Sequence, residues 1–321
     1  MRKKQFIKDL KKDEIVNDIF VVKFKKPVEP YKNGYKFELR LGDSTKEIMF
    51  KYWGTDNKEI VEKLYDLIKK DDIVHVQGRV NEWNNNLEIS ANSDHLIKIL
   101  KEDEYSKEDF VKTSEKNINA MYNEILDIIE NVEDKEIKKI LEYFYLNEEF
   151  KNKFKISPAA MYLHHGWIGG LLEHTLSIAK IAMNLCDHYK NDNYNINKDI
   201  VIAGCLFHDI GKLKEFALTT NISVSTEGML IGHVTIGCEI LNKAMDELNT
   251  PKEIRMKLIH IIITHMGDYG SNKMPAFPEA FIVYYSDRID ADLIHMLDLI
   301  KNANTEDDYI YDKNMGNIYL K

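Results

Sequence analysis

The sequence predicts a multidomain α+β protein, in which a small β-barrel domain is followed by a helical connector and an all-α domain. Three observations predict this class. Residues 15–95 alternate between apolar and polar side chains over short segments. Residues 106–158 are strongly charged, and their apolar side chains have helical spacing. From residue 159 onward helical spacing continues almost throughout. We therefore expect domains at 1–105, 106–158 and 159–321.

The N-terminal domain is predicted to contain five strands, with a helix between the third and the fourth. The strands lie near 19–24, 34–41, 46–53, 72–80 and 87–90, and the helix near 60–68. Short strands in this order are typical of an OB-fold barrel. Alternation places Lys36, Arg40, Lys51 and Trp53 on outward faces, with Trp83 before the last strand. We expect these cationic and aromatic side chains to bind a nucleic-acid single strand.

Charge and composition narrow the class of protein. The net charge is −9, but residues 1–105 hold 21 Lys and Arg against 20 Asp and Glu, so the acid excess lies in the remainder. The N-terminal part is therefore the better polyanion surface. No apolar run is long enough to cross a membrane, and no signal peptide is evident, so we expect a cytoplasmic protein without a membrane partner.

The three cysteines also bear on the cellular compartment. Cys186, Cys205 and Cys238 are far apart, and none belongs to a CxxC pair. All three fall in apolar helical stretches. We expect buried, reduced thiols rather than a disulfide framework or a zinc knuckle.

Histidines and aspartates point to chemistry in the C-terminal domain, since nine of the eleven histidines lie at or after position 164. His174 falls on the apolar stripe of its helix, and the pair His208-Asp209 ends a helix that is apolar all round. His265 ends another helix, and Asp287 lies on the inward stripe of a later one. Separate helices are thus predicted to aim imidazoles and carboxylates at the interior.

A shared metal ion would account for this convergence. A buried carboxylate is costly unless it is paired or bound to a cation. His174, His208, Asp209 and Asp287 offer mixed nitrogen and oxygen ligands, which suit Mn²⁺, Fe²⁺, Co²⁺, Ni²⁺ or Zn²⁺. We take Mn²⁺ as the leading candidate. Such a site leaves positions for water and substrate, as metal-assisted hydrolysis requires.

Three motifs resemble the successive motifs of the HD phosphohydrolase superfamily. They are Gly169-Gly-Leu-Leu-Glu-His174, Phe207-His-Asp-Ile-Gly-Lys212 and Tyr285-Ser-Asp287-Arg-Ile-Asp290-Ala. The ligands of that family are a first His, the His-Asp pair and a later Asp. The resemblance therefore implies His174, His208, Asp209 and Asp287 as metal ligands, and it favours Asp287 over Asp290.

Further motifs make the chain similar to the YhaM-type 3′→5′ exoribonucleases over nearly its whole length. Besides the order of an OB-type domain, a helical linker and an HD domain, they are His164-His165, Gly232-His233, His265-Met-Gly267, Tyr269-Gly-Ser271 and Pro278-Glu-Ala280. Met266 is a departure, because related proteins often carry two adjacent histidines here and methionine is a poor ligand for a hard divalent metal. Two alternatives stay open for His233 and His265, which either hold a second metal or contact the substrate phosphate.

The resemblance and the chemistry together suggest roles for the remaining candidates. Asp209 would bind metal and orient water, and Lys212 would stabilise negative charge on the phosphate. His165 and His233 are candidate phosphate contacts. Tyr269 and Ser271 lie in a loop predicted to cover the terminal nucleotide, with Tyr269 stacking on its base.

The leading hypothesis is a metal-dependent 3′→5′ exonuclease that hydrolyses single-stranded RNA to 5′-nucleoside monophosphates, with single-stranded DNA as a second substrate. Two alternatives are an HD phosphohydrolase of a small nucleotide and an inactive nucleic-acid-binding adaptor. The intact ligand set counts against the adaptor, and the OB-type domain counts against the small-nucleotide enzyme. Strand edges in that domain and the helical connector also allow a homo-oligomer.

Overall fold

The computed structural model describes residues 1–84, 86–161, 165–190, 195–267 and 273–321. These residues form two compact units. The first comprises Met1–Thr113 together with Leu218–Ile222, and the second comprises Ser114–Ala217 and Ser223–Lys321.

The first unit is a closed β-barrel. Its strands are β1 (Ile15–Tyr31), β2 (Gly34–Gly42), β3 (Glu47–Trp53), β4 (Ile73–Trp83), β5 (Asn86–Asn92) and β6 (Ile97–Ile99), and helix α1 (Lys58–Leu67) separates β3 from β4. The strands pair in the order β1-β2-β3-β5-β4-β6, and β1 also pairs with β4, which closes the sheet. All these pairs are antiparallel except β3–β5. This confirms the predicted OB-like order of five strands and one helix.

The long first strand closes the barrel because it bends. Its pairing with β2 is irregular between Val22 and Phe24 and again between Lys26 and Glu29. Such irregularities bend a strand and increase its twist. Apolar side chains of every long strand, among them Phe20, Phe37 and Phe50, fill the interior. Strand β6 was not predicted, because three residues are too few to show an alternating pattern.

A short segment from the second half of the sequence belongs to the first unit. This segment is Leu218–Ile222. Thr220 Oγ1 donates a hydrogen bond to the backbone carbonyl of Asp71 at 2.8 Å, and Asn221 Nδ2 donates to Asp71 Oδ1 at 2.8 Å. The chain therefore enters the first unit twice.

The second unit is mainly helical. Its helices are α2 (Ile118–Glu130), α3 (Lys135–Tyr145), α4 (Glu148–Ile156), α5 (Gly170–Lys190), α6 (Lys198–Phe207), α7 (Lys212–Glu215), α8 (Thr226–Ile231), α9 (His233–Glu247), α10 (Lys252–Thr264) and α11 (Pro278–Asn302). The three helices within the predicted connector, α2 to α4, contribute Ile125, Leu141 and Phe154 to the same core as the later helices. They are therefore part of this unit's packing.

Helix α6 lies at the centre of this unit. Every residue from Ile200 to Phe207 is buried, as the absence of a polar face predicts. The side chain of Asn197 accepts a hydrogen bond from the Ile200 amide and begins the helix. Because α6 ends directly before His208 and Asp209, its burial carries these two polar side chains into the interior.

Two short hairpins accompany the helices, which the expectation of an all-α domain did not include. Strands β7 (Phe216–Leu218) and β8 (Ile222–Val224) form one, and β9 (Tyr309–Asp312) and β10 (Gly316–Tyr319) form the other. Each strand has three or four residues, which is below the length at which alternation is informative. Within the described residues, no helix combines the length and apolar character that a membrane span requires.

Candidate metal centre

Five structural elements bring polar side chains to one buried point. His174 lies in the first half of α5, and His208 and Asp209 directly follow α6. His233 is the first residue of α9, and His265 directly follows α10. Asp287 lies on α11. The structure thus brings together the four residues predicted as metal ligands and the two histidines, His233 and His265, predicted either to hold a second metal or to contact the phosphate.

The first group of ligand atoms surrounds one oxygen of Asp209. His174 Nε2 lies 3.2 Å from Asp287 Oδ1 and 3.6 Å from Asp209 Oδ2. His208 Nε2 lies 3.2 Å from the same Asp209 Oδ2. Ligand atoms of His174, His208 and Asp287 all lie within 4.8 Å of one another. This group has two imidazoles and two carboxylates, one from the turn after α6 and one from α11.

The second group surrounds the other oxygen of Asp209. His233 Nε2 lies 3.6 Å and His265 Nε2 lies 3.5 Å from Asp209 Oδ1. Ligand atoms of these three residues also lie within 4.8 Å of one another. Asp209 therefore stands between two sets of ligands, with one carboxylate oxygen facing each.

The Nδ1 atoms of His208, His233 and His265 each contact a protein oxygen on the side of the ring away from Asp209. Nδ1 of His208 donates to the Cys205 carbonyl, and Nδ1 of His265 donates to the Ile262 carbonyl, each at 2.8 Å. Nδ1 of His233 lies 3.0 Å from Glu215 Oε1. These contacts direct Nε2 of all three rings towards Asp209, which is how protein sites commonly orient metal-binding histidines.

Asp290 holds His174 in the same way. Its Oδ2 lies 2.7 Å from His174 Nδ1 and 3.0 Å from His165 Nε2, and Ser177 Oγ donates to its Oδ1. Asp290 is buried behind the His174 ring, on the side away from Asp287. Its contacts orient an imidazole, whereas Asp287 faces Nε2 of the same ring.

Opposite charges outweigh burial in setting the ionisation of this cluster. Burial lowers the pKa of His174, but the hydrogen bonds to Asp287 and Asp290 prevail and raise it to about 9. Burial raises the pKa of Asp287, but His174 and His208 lower it to about 2. Burial also opposes ionisation of Asp209, yet Lys212 and His208 hold its pKa well below the usual range. The carboxylates of Asp209 and Asp287 are therefore charged at neutral pH.

The donor set fits a divalent transition metal. Among the described residues, His208 Nε2 and Asp209 Oδ1 are buried side-chain atoms without a hydrogen-bond partner. Leaving such atoms without a partner in the interior is costly. Both are ligand atoms of the two groups, and imidazole nitrogen with carboxylate oxygen suits Mn²⁺, Fe²⁺, Co²⁺, Ni²⁺ and Zn²⁺. A bound ion would satisfy both atoms.

Two glycines of the sequence motifs permit the close approach that assembles these groups. A Cβ added to Gly170 would lie 1.9 Å from the carbonyl oxygen of His165, and one added to Gly211 would lie 1.9 Å from that of His233. Only a residue without a side chain fits at either position. Gly170 thus admits His165 beside α5, and Gly211 admits the start of α9.

The other predicted site residues lie at varied distances from this centre. Lys212 Nζ forms an ion pair with Asp209 Oδ2 at 2.7 Å, and its side chain is 13% exposed. Burial lowers the pKa of Lys212, but Asp209 outweighs it and raises the pKa, so the side chain is cationic. His165 is buried against Asp290, so its predicted phosphate contact stays a prediction. Tyr269 and Ser271, like His164, lie outside the described residues.

The predicted nucleic-acid contacts share one outward face of the barrel, where carboxylates accompany the cations. Lys36 Nζ lies 2.8 Å from Glu29 and 3.2 Å from Glu38. Lys51 Nζ lies 2.6 Å from Glu88, and Arg40 lies 3.8 Å from Glu47. Trp53 packs edge-on against Tyr31 with ring centroids 4.9 Å apart, and its Nε1 donates to Ser90. The face is charge-balanced and carries aromatic rings.

Sequence reasoning missed the residues that orient the ligands. Asp290 was considered only as a rival ligand, although its spacing of three residues from Asp287 places both on one side of α11. That spacing could have indicated a supporting role. Glu215 carried no signal, because its contact with His233 depends on the path of the chain between them.

Family models and curated relatives agree with this architecture. Residues 171–292 match the family model described as "HD domain", and residues 21–98 match "OB-fold nucleic acid binding domain". The "3'-5' exoribonuclease YhaM" of Listeria monocytogenes serotype 4b is 30% identical over 84% of this chain and 83% of its own length. The protein of the same name from Shouchella clausii is 31% identical over 81% and 78%. Among solved structures, the HD domain of the L. monocytogenes phosphodiesterase PgpH is 19% identical, with a TM-score of 0.30, and covers 48% of this chain and 80% of its own.

Proposed function

Because the chain belongs to the YhaM family of 3′–5′ exoribonucleases, we propose that it shortens single-stranded RNA from the 3′ end and releases 5′-nucleoside monophosphates. The chain is a hydrolytic nuclease with an HD phosphohydrolase domain and an OB-fold nucleic-acid-binding domain. The observation that carries the proposal is the position of Asp209, whose two carboxylate oxygens face separate sets of imidazole nitrogens.

We propose that this centre holds two divalent ions, with Mn²⁺ as the leading candidate. His174, His208, Asp209 and Asp287 would hold the first, and Asp209, His233 and His265 the second. Neither set draws on Met266. Metal in such a site lowers the pKa of water and offsets charge on phosphate oxygens. His208 Nε2 of the first group and Asp209 Oδ1 of the second are both buried without a hydrogen-bond partner, which supports this assignment.

The protein's own groups then position the phosphodiester and the attacking water. The cationic Lys212 lies beside Asp209 at the edge of the cluster and would offset negative charge on the phosphate. The carboxylate of Asp209 would orient water by accepting its hydrogen bond. Asp290 and Glu215 would hold the imidazoles of His174 and His233 in place. RNA is the proposed natural substrate and single-stranded DNA a second one.

The barrel would hold the strand whose end is being cleaved. Its outward face offers Trp53 and Tyr31 for base stacking, which is tolerant of sequence. Three cations on this face form ion pairs with carboxylates, namely Lys36, Lys51 and Arg40. Each would bind an RNA phosphate by giving up its carboxylate partner. Because the charges on this face balance, we expect it to bind RNA more by base stacking than by electrostatic attraction of phosphates.

The test uses a single-stranded RNA labelled at its 5′ end, incubated with the full chain and Mn²⁺. We expect a labelled ladder that shortens from the 3′ end, and chromatography of the unlabelled products should show 5′-nucleoside monophosphates. Asp209→Ala should abolish cleavage, whereas Asp298→Ala, the same change on α11 of the same unit, should retain it. Internal fragments, an active Asp209→Ala variant, or no cleavage of RNA or DNA with any divalent metal would contradict the proposal. Consumption of a small nucleotide in place of RNA would favour the second enzyme class.

A further inference from the structure

Helix α11 carries apolar side chains on the face away from its metal-binding residue. Phe281, Tyr285, Ile289, Leu293, Leu297 and Ile300 follow one another at steps of four, four, four, four and three residues. Side chains at this spacing lie one above another on a helix. These six residues, the α11 stripe, are each between 36 and 51% exposed.

The α11 stripe is large for a surface that meets only water. Its six side chains expose on the order of 600 Å² in total, which matches the upper end of the largest apolar patch on a typical monomer. The stripe alone therefore supplies about three quarters of the roughly 800 Å² that each partner contributes to a standard interface.

We propose that the α11 stripe is a homodimer interface, in which α11 of one chain packs antiparallel against α11 of a second copy. A two-fold axis near the middle of the stripe would place Phe281 of one chain beside Ile300 of the other. Ile289 would then face Leu293. The long aromatic side chains near one end meet aliphatic side chains near the other, so the surface is complementary to itself.

The charges beside the α11 stripe fit the same pairing. Arg288 and Asp292 lie along one edge of it, where they form an ion pair at 2.5 Å within the chain. In an antiparallel pair related by a two-fold axis, matching edges face each other. Arg288 of each copy would therefore lie near Asp292 of the other, and two reciprocal ion pairs would accompany the apolar contact.

A second copy fits the α11 stripe better than an RNA strand does. Residues 106–321 hold 23 Lys and Arg against 33 Asp and Glu, which repels a polyanion. Apolar stripes with i, i+4 spacing instead match the packing of one helix on another. Because Asp287 lies on the opposite side of α11, the dimer leaves the metal centre of each chain accessible.

Sedimentation velocity of the full chain over a range of concentrations tests the proposal. We expect a reversible dimer for the unmodified chain and a monomer for Ile289→Lys/Leu293→Lys, with at least a tenfold weaker association. The matched control is Met256→Lys, since Met256 is 55% exposed on α10 of the same unit. Circular dichroism and thermal unfolding show whether each variant is folded. A monomeric unmodified chain, or a dimer that persists in the double variant, would overturn the proposal.

Cross-linking through introduced cysteines tests the antiparallel arrangement. Positions 281 and 300 are 19 residues apart, which corresponds to about 28 Å along a helix. Mixing Phe281→Cys chains with Ile300→Cys chains should give a disulfide-linked dimer, and either variant alone should not. Linkage of either variant with itself indicates a parallel pair, and no linkage in the mixture removes α11 from the interface. A monomer whose RNA affinity falls in the lysine variant would assign the stripe to substrate instead.

Discussion

At the scale of single residues, Asp209 belongs to both groups of the proposed metal centre, because each of its carboxylate oxygens has a different set of neighbours. Oδ2 faces His174, His208 and Lys212, and Oδ1 faces the imidazoles of His233 and His265. A ligand shared in this way requires that the surrounding imidazoles point inward. Their orientation depends on residues that do not touch the proposed ions.

Asp290 provides a residue-scale prediction. Asp290→Asn keeps the side-chain volume but replaces one carboxylate oxygen with an amide donor behind His174. We expect metal affinity to fall roughly 10-fold to 100-fold, as for other residues that orient metal-binding histidines. Isothermal titration with Mn²⁺ measures this, and Asp298→Asn is the matched control on the same helix. Unchanged affinity would show that His174 does not depend on Asp290.

The sequence indicated the candidate ligands, but it indicated few of the residues that orient them. His174, His208 and Asp287 were found because a polar side chain on an inward stripe conflicts with its apolar neighbours. Supporting residues such as Glu215 produce no such conflict, because their position depends on how distant segments meet.

At the scale of structural elements, helix α9 can approach the centre only because Gly211 has no side chain. A Cβ at this position would lie 1.9 Å from the His233 carbonyl oxygen, which belongs to the backbone and cannot swing aside. Helices α7 and α9 can therefore lie at their observed separation only if position 211 has no Cβ. That separation in turn sets the distance between His233 and Asp209.

Gly211→Ala should displace His233 and weaken the second metal group selectively. We expect the number of bound Mn²⁺ ions, measured by titration, to fall from two towards one, with cleavage reduced at least tenfold. Gly42→Ala is a suitable control, because a Cβ at Gly42 meets only flexible side chains, those of Lys23 at 3.0 Å and Glu47 at 3.6 Å. Two ions bound with unchanged affinity would show that the second group does not require this contact.

The outward face of the barrel yields a second prediction at this scale. Burial raises the pKa of Glu38, but Lys26 and Lys36 outweigh it and hold the pKa below its usual range. Glu38 is therefore ionised at neutral pH. The stability it adds is present above its unfolded pKa and is lost as the pH falls through its folded pKa. At neutral pH it competes with phosphate for both lysines.

Glu38→Gln should release Lys26 to bind phosphate and should leave Lys36 paired with Glu29 alone. We expect tighter RNA binding, and a slope of log affinity against log salt that steepens by about 0.7 for each additional phosphate that a lysine neutralises. Fluorescence anisotropy at several salt concentrations measures both quantities. Glu59→Gln, on α1, removes the same charge elsewhere in the unit and is the control. Unchanged affinity and slope would exclude this face as the binding surface.

Element type followed from the sequence wherever a segment was long. The alternation in β2 and β3 and the apolar run of α6 predicted those elements, because a half-buried strand and a fully buried helix impose different patterns on their side chains. The short strands β6 to β10 left no pattern. Their pairing depends on neighbours that the sequence does not identify.

At the scale of the whole molecule, no hydrophobic cluster of the described residues is shared between the two units, so we expect two separate unfolding transitions. The barrel core contains residues of the first unit only, and the helical core residues of the second only. The metal centre lies in the second. A ligand that binds one folded unit stabilises that unit by mass action.

Adding Mn²⁺ should therefore raise one unfolding temperature and leave the other unchanged. At a free metal concentration 100-fold above the dissociation constant, the gain is about 2.7 kcal/mol. For a unit of this size that corresponds to roughly 5 to 10 °C. Differential scanning calorimetry with and without a chelator measures the shift, and Asp209→Ala should abolish it. Equal shifts in both transitions would contradict independent unfolding.

The segment Leu218–Ile222 has a consequence for the ancestry of such proteins. Tandem domains that are joined by one linker can be exchanged between genes by a single recombination event. Here the chain leaves the helical unit after Ala217, contributes Thr220 and Asn221 to the barrel unit, and returns at Ser223. A barrel transferred without this segment would lose the hydrogen bonds that Thr220 and Asn221 donate to Asp71. The two units are thus expected to have been inherited together.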